Sequence, residues 1–210
     1  MSASAPRDYN HLAPVYDQVF HGFLNEGHEL IGQVLCGEKP LRGRSVLEIG
    51  VGSGLTLNYL PRSIQYTGVD INKHMLQLAK EKMKRLGRQN YKLELMDAEQ
   101  LHLKKESFDF VIAASVLTAV RNPEGTMKEM IRVTKKGGKI AIVANIRQNG
   151  SVRSSLIKQL DPLTKKLLGF RMDLDFDYFS NFESIRLLGK MNVNKILGVP
   201  LSSFLIFQKL

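Results

Sequence analysis

A carboxylate followed by three alternating glycines is the first chemistry-bearing pattern in the chain: Glu48-Ile-Gly50-Val-Gly52-Ser-Gly54. Glycines at that spacing let the backbone turn tightly and approach a ligand, because no Cβ intervenes. If a helix starts at Leu55, its unpaired N–H groups line the turn. Asp70 ends the next apolar run, about twenty residues on, where a carboxylate can accept both hydroxyls of a ribose. It can equally cap the following helix. Two nucleotide sites are excluded. The dinucleotide fingerprint needs glycine at the sixth position, which is Leu55, and the phosphate-binding loop needs a Gly-Lys-Ser/Thr ending that is absent.

Other reactive or ligand-binding types follow at intervals. Ile71 and Met75 stand just after Asp70 and can pack on a base, although a helical Met is more often core. Asp97 and Ala98 follow the run Tyr91–Met96, where an Asx turn is the ordinary role for Asp97. Tyr9 and Tyr16 offer electron-rich faces that suit a cation. Asn145 carries an amide that can hold an amine or a phosphate ester, and Arg147 and Arg153 carry guanidinium forks matched to phosphate. His11, His21 and His28 lack a cysteine or acidic cluster to complete a metal site, so surface or capping roles are expected and no metal.

The elements that must position these residues alternate. Strands are expected at 45–50, 66–70, 91–96, 108–114 and 139–144, with helices at 55–60, 73–87 and 124–135 and a turn at Lys136-Gly137-Gly138. That order implies a parallel sheet with helices on both faces, whose ligands lie beyond the carboxyl ends of the strands. Before it, apolar residues from Leu12 to Leu35 recur at spacings of three and four, a helical stripe. Gly22, Gly27 and Gly32 predict a break or kink in it. The stripe either covers an edge of the core or lies in a lipid headgroup region as a lid. After the sheet, residues 147–171 hold six basic residues and one acidic residue, Asp161, interleaved with leucines. This is a basic amphipathic helix, broken near Pro162, that suits an anionic membrane surface or a partner; an ordinary surface helix reads the same way. Met191 to Lys209 reads as two strands around Gly198-Val-Pro200.

Composition sets the frame. The 210 residues, 43% hydrophobic, suffice for one domain, and Cys36 is the only cysteine, so cytoplasmic conditions fit. No run reaches membrane-spanning length. The formal charge of +10 favours an anionic partner.

The ordered set resembles the class I S-adenosylmethionine (SAM) methyltransferases. Glu48, Gly50, Gly52 and Gly54 match the first motif, whose loop holds the methionine part of the cofactor. Met96-Asp97-Ala98-Glu99-Gln100-Leu101 is similar to the third cofactor element, in which the Asp meets the adenine amino group and the next N–H a ring nitrogen. Ser107 to Val120 resembles the fourth strand and its loop, with Ala114 and Ser115 at the methionine end and Asp109 structural. Tyr9 to Asp17 resembles an N-terminal signature whose tyrosines close over the cofactor. The resemblance implies a Rossmann-like α/β fold, 1–210 as one domain, with a seven-stranded, mostly parallel sheet completed by a C-terminal antiparallel hairpin. Within it, 1–44 is a helical lid, 45–145 the cofactor half, and 146–210 the substrate half.

The C-terminal part is similar to the bacterial phosphatidylethanolamine N-methyltransferases of the short soluble type. Asn145 matches the Asn of an Asn-His pair, and Ile146 replaces the His. This implies methyl transfer from SAM to a phospholipid amine, leaving S-adenosylhomocysteine, by a monomer attached to the inner face of the membrane. Tyr9, Tyr16 and Asn145 would serve the reaction, and Asn145, Arg147 and Arg153 would hold the substrate. Lys158, Lys165 and Lys166 would face anionic lipid. A quinone-precursor C-methyltransferase shares the cofactor half. An RNA methyltransferase fits the charge, but no RNA-binding module is present, so no nucleic acid partner is expected. A non-catalytic SAM- or membrane-binding protein is the remaining alternative.

Overall fold

The computed structural model describes residues 13–146, 174–196 and 199–210, with side chains for 25–146, 174–194 and 202–210. Tyr9, His11, Arg147, Arg153 and the basic segment with Lys158, Lys165 and Lys166 lie outside the described residues. Tyr16 and His21 are described only as backbone of the first helix.

Seven strands form one sheet: β1 (Ser45–Ile49), β2 (Gln65–Asp70), β3 (Tyr91–Leu95), β4 (Phe108–Ala114), β5 (Thr134–Ala144), β6 (Ile185–Ile196) and β7 (Val199–Lys209). Their order is β3-β2-β1-β4-β5-β7-β6. β1 pairs in parallel with β2 and β4, so the sheet is built outwards from it in both directions. β7 runs antiparallel to both β5 and β6, which makes the C-terminal hairpin. The order reverses between β1 and β4, and a crevice forms beyond their carboxyl ends.

The central strands read as apolar on both faces because both faces are covered. One face buries Val46, Phe110, Ile112 and Val143 under α1 (Ala13–Gly37) and α2 (Lys73–Arg85), through Ile31, Leu35, Ala79 and Met83. The other buries Leu47, Ile49, Val111 and Ile142 under α3 (Pro123–Val133) and the segment after residue 173, through Met127, Met130, Leu174 and Phe179. Each such side chain contributes about 1.5–3 kcal/mol. Polar bonds set the register at the amino ends. Asp109 on β4 accepts Ser45 N–H at 2.9 Å and Ser45 Oγ–H at 2.7 Å, and pairs with Lys135 at 2.9 Å.

Four local expectations are corrected. The helix after the glycine turn is a single 3-10 turn, Leu55–Asn58. Pro61 follows it, and Arg88 donates to the carbonyls of Leu57, Leu60 and Pro61, so the carbonyls left over by the short helix are satisfied by a side chain. Thr134-Lys-Lys-Gly-Gly belongs to β5 itself. The register there jumps from Phe108↔Thr134 to Phe110↔Lys139, and Gly137 adopts φ 73°, so the expected turn is an irregularity inside the strand. The first helix runs from Ala13 to Gly37 without the anticipated break. Its glycines serve close approach instead. A Cβ on Gly27 would stand 2.8 Å from Val143, and one on Gly32 would stand 2.5 Å from the Tyr59 carbonyl oxygen. Finally, His28 is buried rather than at the surface, as described below.

The two helix glycines make opposite predictions from the same propensity. Alanine is the better helix former by about 1 kcal/mol. Gly32→Ala nevertheless loses about 2 kcal/mol of stability, because its methyl meets backbone that must shift. Gly37→Ala, whose Cβ meets nothing within 4 Å, keeps or gains stability. Urea midpoints of the two variants check the pair; equal shifts would mean that α1 does not pack this tightly.

Candidate functional site

The crevice is built on the turn after β1. Gly52 sits at φ 54°, a conformation that favours glycine, and its N–H donates to Asp70 Oδ2 at 2.8 Å. Asp70 Oδ1 accepts Asn72 N–H at 2.8 Å. The cap of α2 falls to Asn72, whose side chain accepts from His74 and Met75 N–H. Asp70 is thereby left to the crevice. Burial pushes its carboxyl above the ordinary value, against the pull of the Asn72, Gly52 and Ile71 N–H groups. A carboxylate has about four acceptor positions, so hydroxyl donors can still be taken up.

A Cβ on Gly52 would meet nothing within 4 Å, so the turn opens onto space. On the β4 side, a Cβ on Gly50 would stand 2.6 Å from Val116, which brings the turn against the loop after β4. That loop begins at Ser115, a non-glycine residue at φ 63°, whose N–H donates to the Val143 carbonyl at 2.7 Å. Such strain costs of order 1–3 kcal/mol and clusters at functional sites. Ala114 closes β4 just before it and is 9% exposed. Gly50, Gly52, Gly54, Asp70, Ala114 and Ser115 are thus all placed at the carboxyl ends of β1, β2 and β4.

Beyond β2, Ile71 is 49% exposed, an apolar side chain left open beside Asp70. Met75 is buried in α2 and is core. Asp97 forms the Asx turn, accepting Glu99 N–H at 2.9 Å through Oδ1, and Ala98 is half-buried. Glu99, to which the spacing assigned nothing, accepts the N–H groups of Arg121 at 3.0 Å and Asn122 at 2.8 Å.

Glu48 departs from the expectation that it binds cofactor. It is 1% exposed, and its oxygens accept Thr56 Oγ1–H and Tyr66 Oη–H, each at 2.6 Å. It therefore has no surface to offer a ligand. His28 Nδ1 lies 2.7 Å from Thr56 Oγ1, so a buried chain links α1 to β1 and β2 behind the glycine turn. When Glu48 is ionised, Thr56 donates its one proton to the carboxylate and accepts from His28 Nδ1–H, which sets the tautomer. Burial raises the Glu48 carboxyl from 4.5 to about 7; the hydroxyls of Thr56 and Tyr66 and the charge of Lys82 pull it down, and Asp70 pushes it up.

Asn145, expected to hold the substrate, follows β5, and its Oδ1 accepts Ser202 Oγ–H of β7 at 3.0 Å. The amide also carries two N–H donors, which suit an acceptor oxygen such as that of a phosphate ester, and its oxygen keeps a second lone pair. Ile146 packs half-buried against the second core cluster. Ser202 was missed in the sequence because only strand pairing brings it to Asn145.

The cradle suits a nucleoside joined to a compact polar tail: a glycine turn open to space, a buried carboxylate for hydroxyls, and an exposed apolar side chain for a base. Residues 47–142 match the methyltransferase domain family. The chain is 32% identical over 174 residues to phosphatidylethanolamine N-methyltransferase of Cereibacter sphaeroides, covering 80% of this chain and 81% of that one. It is 29% identical over 150 residues to demethylmenaquinone methyltransferase of Tropheryma whipplei (strain Twist), covering 67% and 59%. Among solved structures, a SAM-dependent methyltransferase of Thermotoga maritima, described as a possible histamine N-methyltransferase, superposes with a TM-score of 0.69 at 22% identity, over 96% of this chain and 98% of that one.

Two variants test the front and back of the turn. Gly52→Ala places a methyl at positive φ and costs about 1 kcal/mol of stability. It also projects into the open cradle, so affinity for S-adenosylhomocysteine falls by at least about tenfold, equivalent to 1.4 kcal/mol; undiminished binding in a calorimetric titration would remove Gly52 from the site. For Glu48, the folded carboxyl holds its proton to about pH 7, whereas the unfolded one releases it near 4.5. Its contribution is fully present below the lower value and is lost as pH rises through the higher, a change of about 3 kcal/mol. Stability measured across this range falls in the parent relative to Glu48→Gln; parallel profiles would contradict the buried, protonated carboxyl.

Proposed function

Since the chain belongs to the class I SAM-dependent methyltransferases, we propose that it methylates the amine of phosphatidylethanolamine, and of its methylated forms, toward phosphatidylcholine. The observation that carries this reading is the reach of the likeness. The domain family accounts for residues 47–142, whereas the phosphatidylethanolamine enzyme of Cereibacter sphaeroides aligns over 80% of the chain. The demethylmenaquinone enzyme aligns over 67% of the chain at lower identity.

SAM, the cofactor, supplies a methyl group bound to a cationic sulfur, which needs little acid assistance to leave. The work of the chain is therefore alignment and desolvation, for which holding two reactants in line is worth roughly 7–11 kcal/mol at most. The glycine turn and Asp70 orient the nucleoside side, and Ser115 fixes the edge of the β4 loop beside it. Asn145, its oxygen held by Ser202, is proposed to hold an oxygen of the phosphate ester. Tyr9 and Tyr16 are proposed to face the amine, whose proton must leave before attack; aromatic faces also attract the growing ammonium. Arg147 and Arg153 are proposed for the phosphate.

A lipid acceptor implies contact with a membrane. The formal charge of +10 and the basic residues of 147–171 support peripheral attachment to anionic lipid from the cytoplasmic side. No helix among the described residues is long and apolar enough to span a membrane.

The demethylmenaquinone methyltransferase likeness supports a second reading, carbon methylation of a quinone precursor. Radiolabelled methyl transfer separates the two. Full-length protein with labelled SAM and phosphatidylethanolamine liposomes is expected to yield mono-, di- or trimethylated lipid, and more of it with anionic lipid present. Label confined to a quinone precursor would replace the lipid assignment. Ser202→Ala is expected to raise the KM for phospholipid by about three- to tenfold, as loss of one hydrogen bond does, without changing S-adenosylhomocysteine affinity. An unchanged KM would free Asn145 of dependence on Ser202.

A further inference from the structure

We infer that Glu99 is a positioning residue for the cofactor, holding the loop that carries Asp97 and Ala98 at a set distance from the loop after β4. The inference rests on the SAM assignment and not on the identity of the acceptor.

β3 and β4 are not neighbours. β2 and β1 stand between them, so their ends lie roughly 14 Å apart at ordinary strand spacing. A ligand lying along the crevice touches both walls, and sheet hydrogen bonds do not set the spacing of two loops that leave the sheet. The Glu99 side chain joins them near the crevice. Glu99 Oε1 accepts Arg121 N–H at 3.0 Å and Asn122 N–H at 2.8 Å, at the N-cap of α3 and the residue before it. An anionic acceptor is favoured there by the unpaired N–H groups of the helix start. The main-chain N–H of the same residue donates to Asp97 Oδ1 at 2.9 Å. Asp97 is therefore held by a residue that is itself fixed to the far wall.

The fold does not need this contact. Further along, the loop is pinned independently. Leu101 N–H donates to Glu129 at 2.8 Å, and Arg132 donates to the carbonyls of Leu101 at 2.9 Å and Leu103 at 2.8 Å. Leu101 is also buried. The stretch from Asp97 to Gln100 closes on itself through Gln100 N–H to the Asp97 carbonyl at 3.1 Å, and Ala98 packs on the core, but its tie to the loop after β4 is Glu99. Its loss frees the residues that would meet the base while leaving the remaining loop seated, and binding then bears the cost of ordering them.

The test uses the full chain and S-adenosylhomocysteine as probe, read by calorimetry, with SAM kinetics beside it. Glu99→Ala is expected to bind about tenfold more weakly and to raise the KM for SAM equally, with kcat at saturating SAM changed by less than about twofold. Glu99→Gln keeps the Oε1 acceptor and is expected to stay within about twofold of the parent on both measures. Binding by Glu99→Ala as tight as the parent overturns the inference. So does an equal loss in both variants, which would point to charge rather than the acceptor. A fall in kcat with KM unchanged also overturns it. The calorimetry needs no acceptor, so failure of the phospholipid reading leaves this test standing.

Discussion

The site depends on a carboxylate held between two backbone N–H groups. Asp70 accepts from Gly52 on one strand's turn and from Asn72 at the start of the next helix. β1 and β2 end level, with Ile49 opposite Val69, so their following turns are brought side by side, and Asp70 joins them. Burying a carboxylate is costly unless its oxygens are paired. The backbone donors offset that cost here and, in doing so, fix the shape of the glycine turn. Placement of the crevice carboxylate and placement of the loop are thus one event.

Two carboxylates in the same region have different roles because of the direction in which they point. Asp70 ends its strand and borders the crevice. Glu48, inside β1, points beneath α1 into the core, where Thr56, Tyr66 and His28 complete a buried chain. That chain ties the first helix to the strand from which the glycine turn emerges. The helix is held a second time at the hairpin: Gly27 N–H donates to Asn194 Oδ1 at 3.1 Å, and Asn194 N–H to Glu26 at 2.7 Å. The same hairpin supplies Ser202 to Asn145. The C-terminal strands, though remote from the glycine turn, therefore bear on both α1 and Asn145.

Much of this was legible. Each of the five parallel strands overlaps its expected range, since apolar runs between turn residues read the same whatever surrounds them. Asp70 and the glycines stand together at the carboxyl ends of β1 and β2, as their spacing led one to expect. The departures share a cause. Gly27 and Gly32 count as helix breakers by propensity, but in the tertiary structure they are the points where α1 comes closest to the sheet. Lys136-Gly137-Gly138 has turn chemistry, yet β4 pairs on either side of it and keeps it within the strand. His28 lies in line with Leu24, Ile31 and Leu35 on the apolar stripe, but the partner that satisfies it, Thr56, belongs to another element.

Local chemistry in the sequence determined the order of elements, the cofactor class and the carboxylate that ends β2 beside the glycine turn, because periodicity and turn spacing act over a few residues. The tertiary structure alone decided which of two nearby carboxylates reaches the crevice, that Ser202 donates to Asn145, and that Glu99 spans two loops. Those outcomes depend on partners far apart in the chain, such as Glu99 and Asn122 or Asn145 and Ser202, which meet only once the strand order is set.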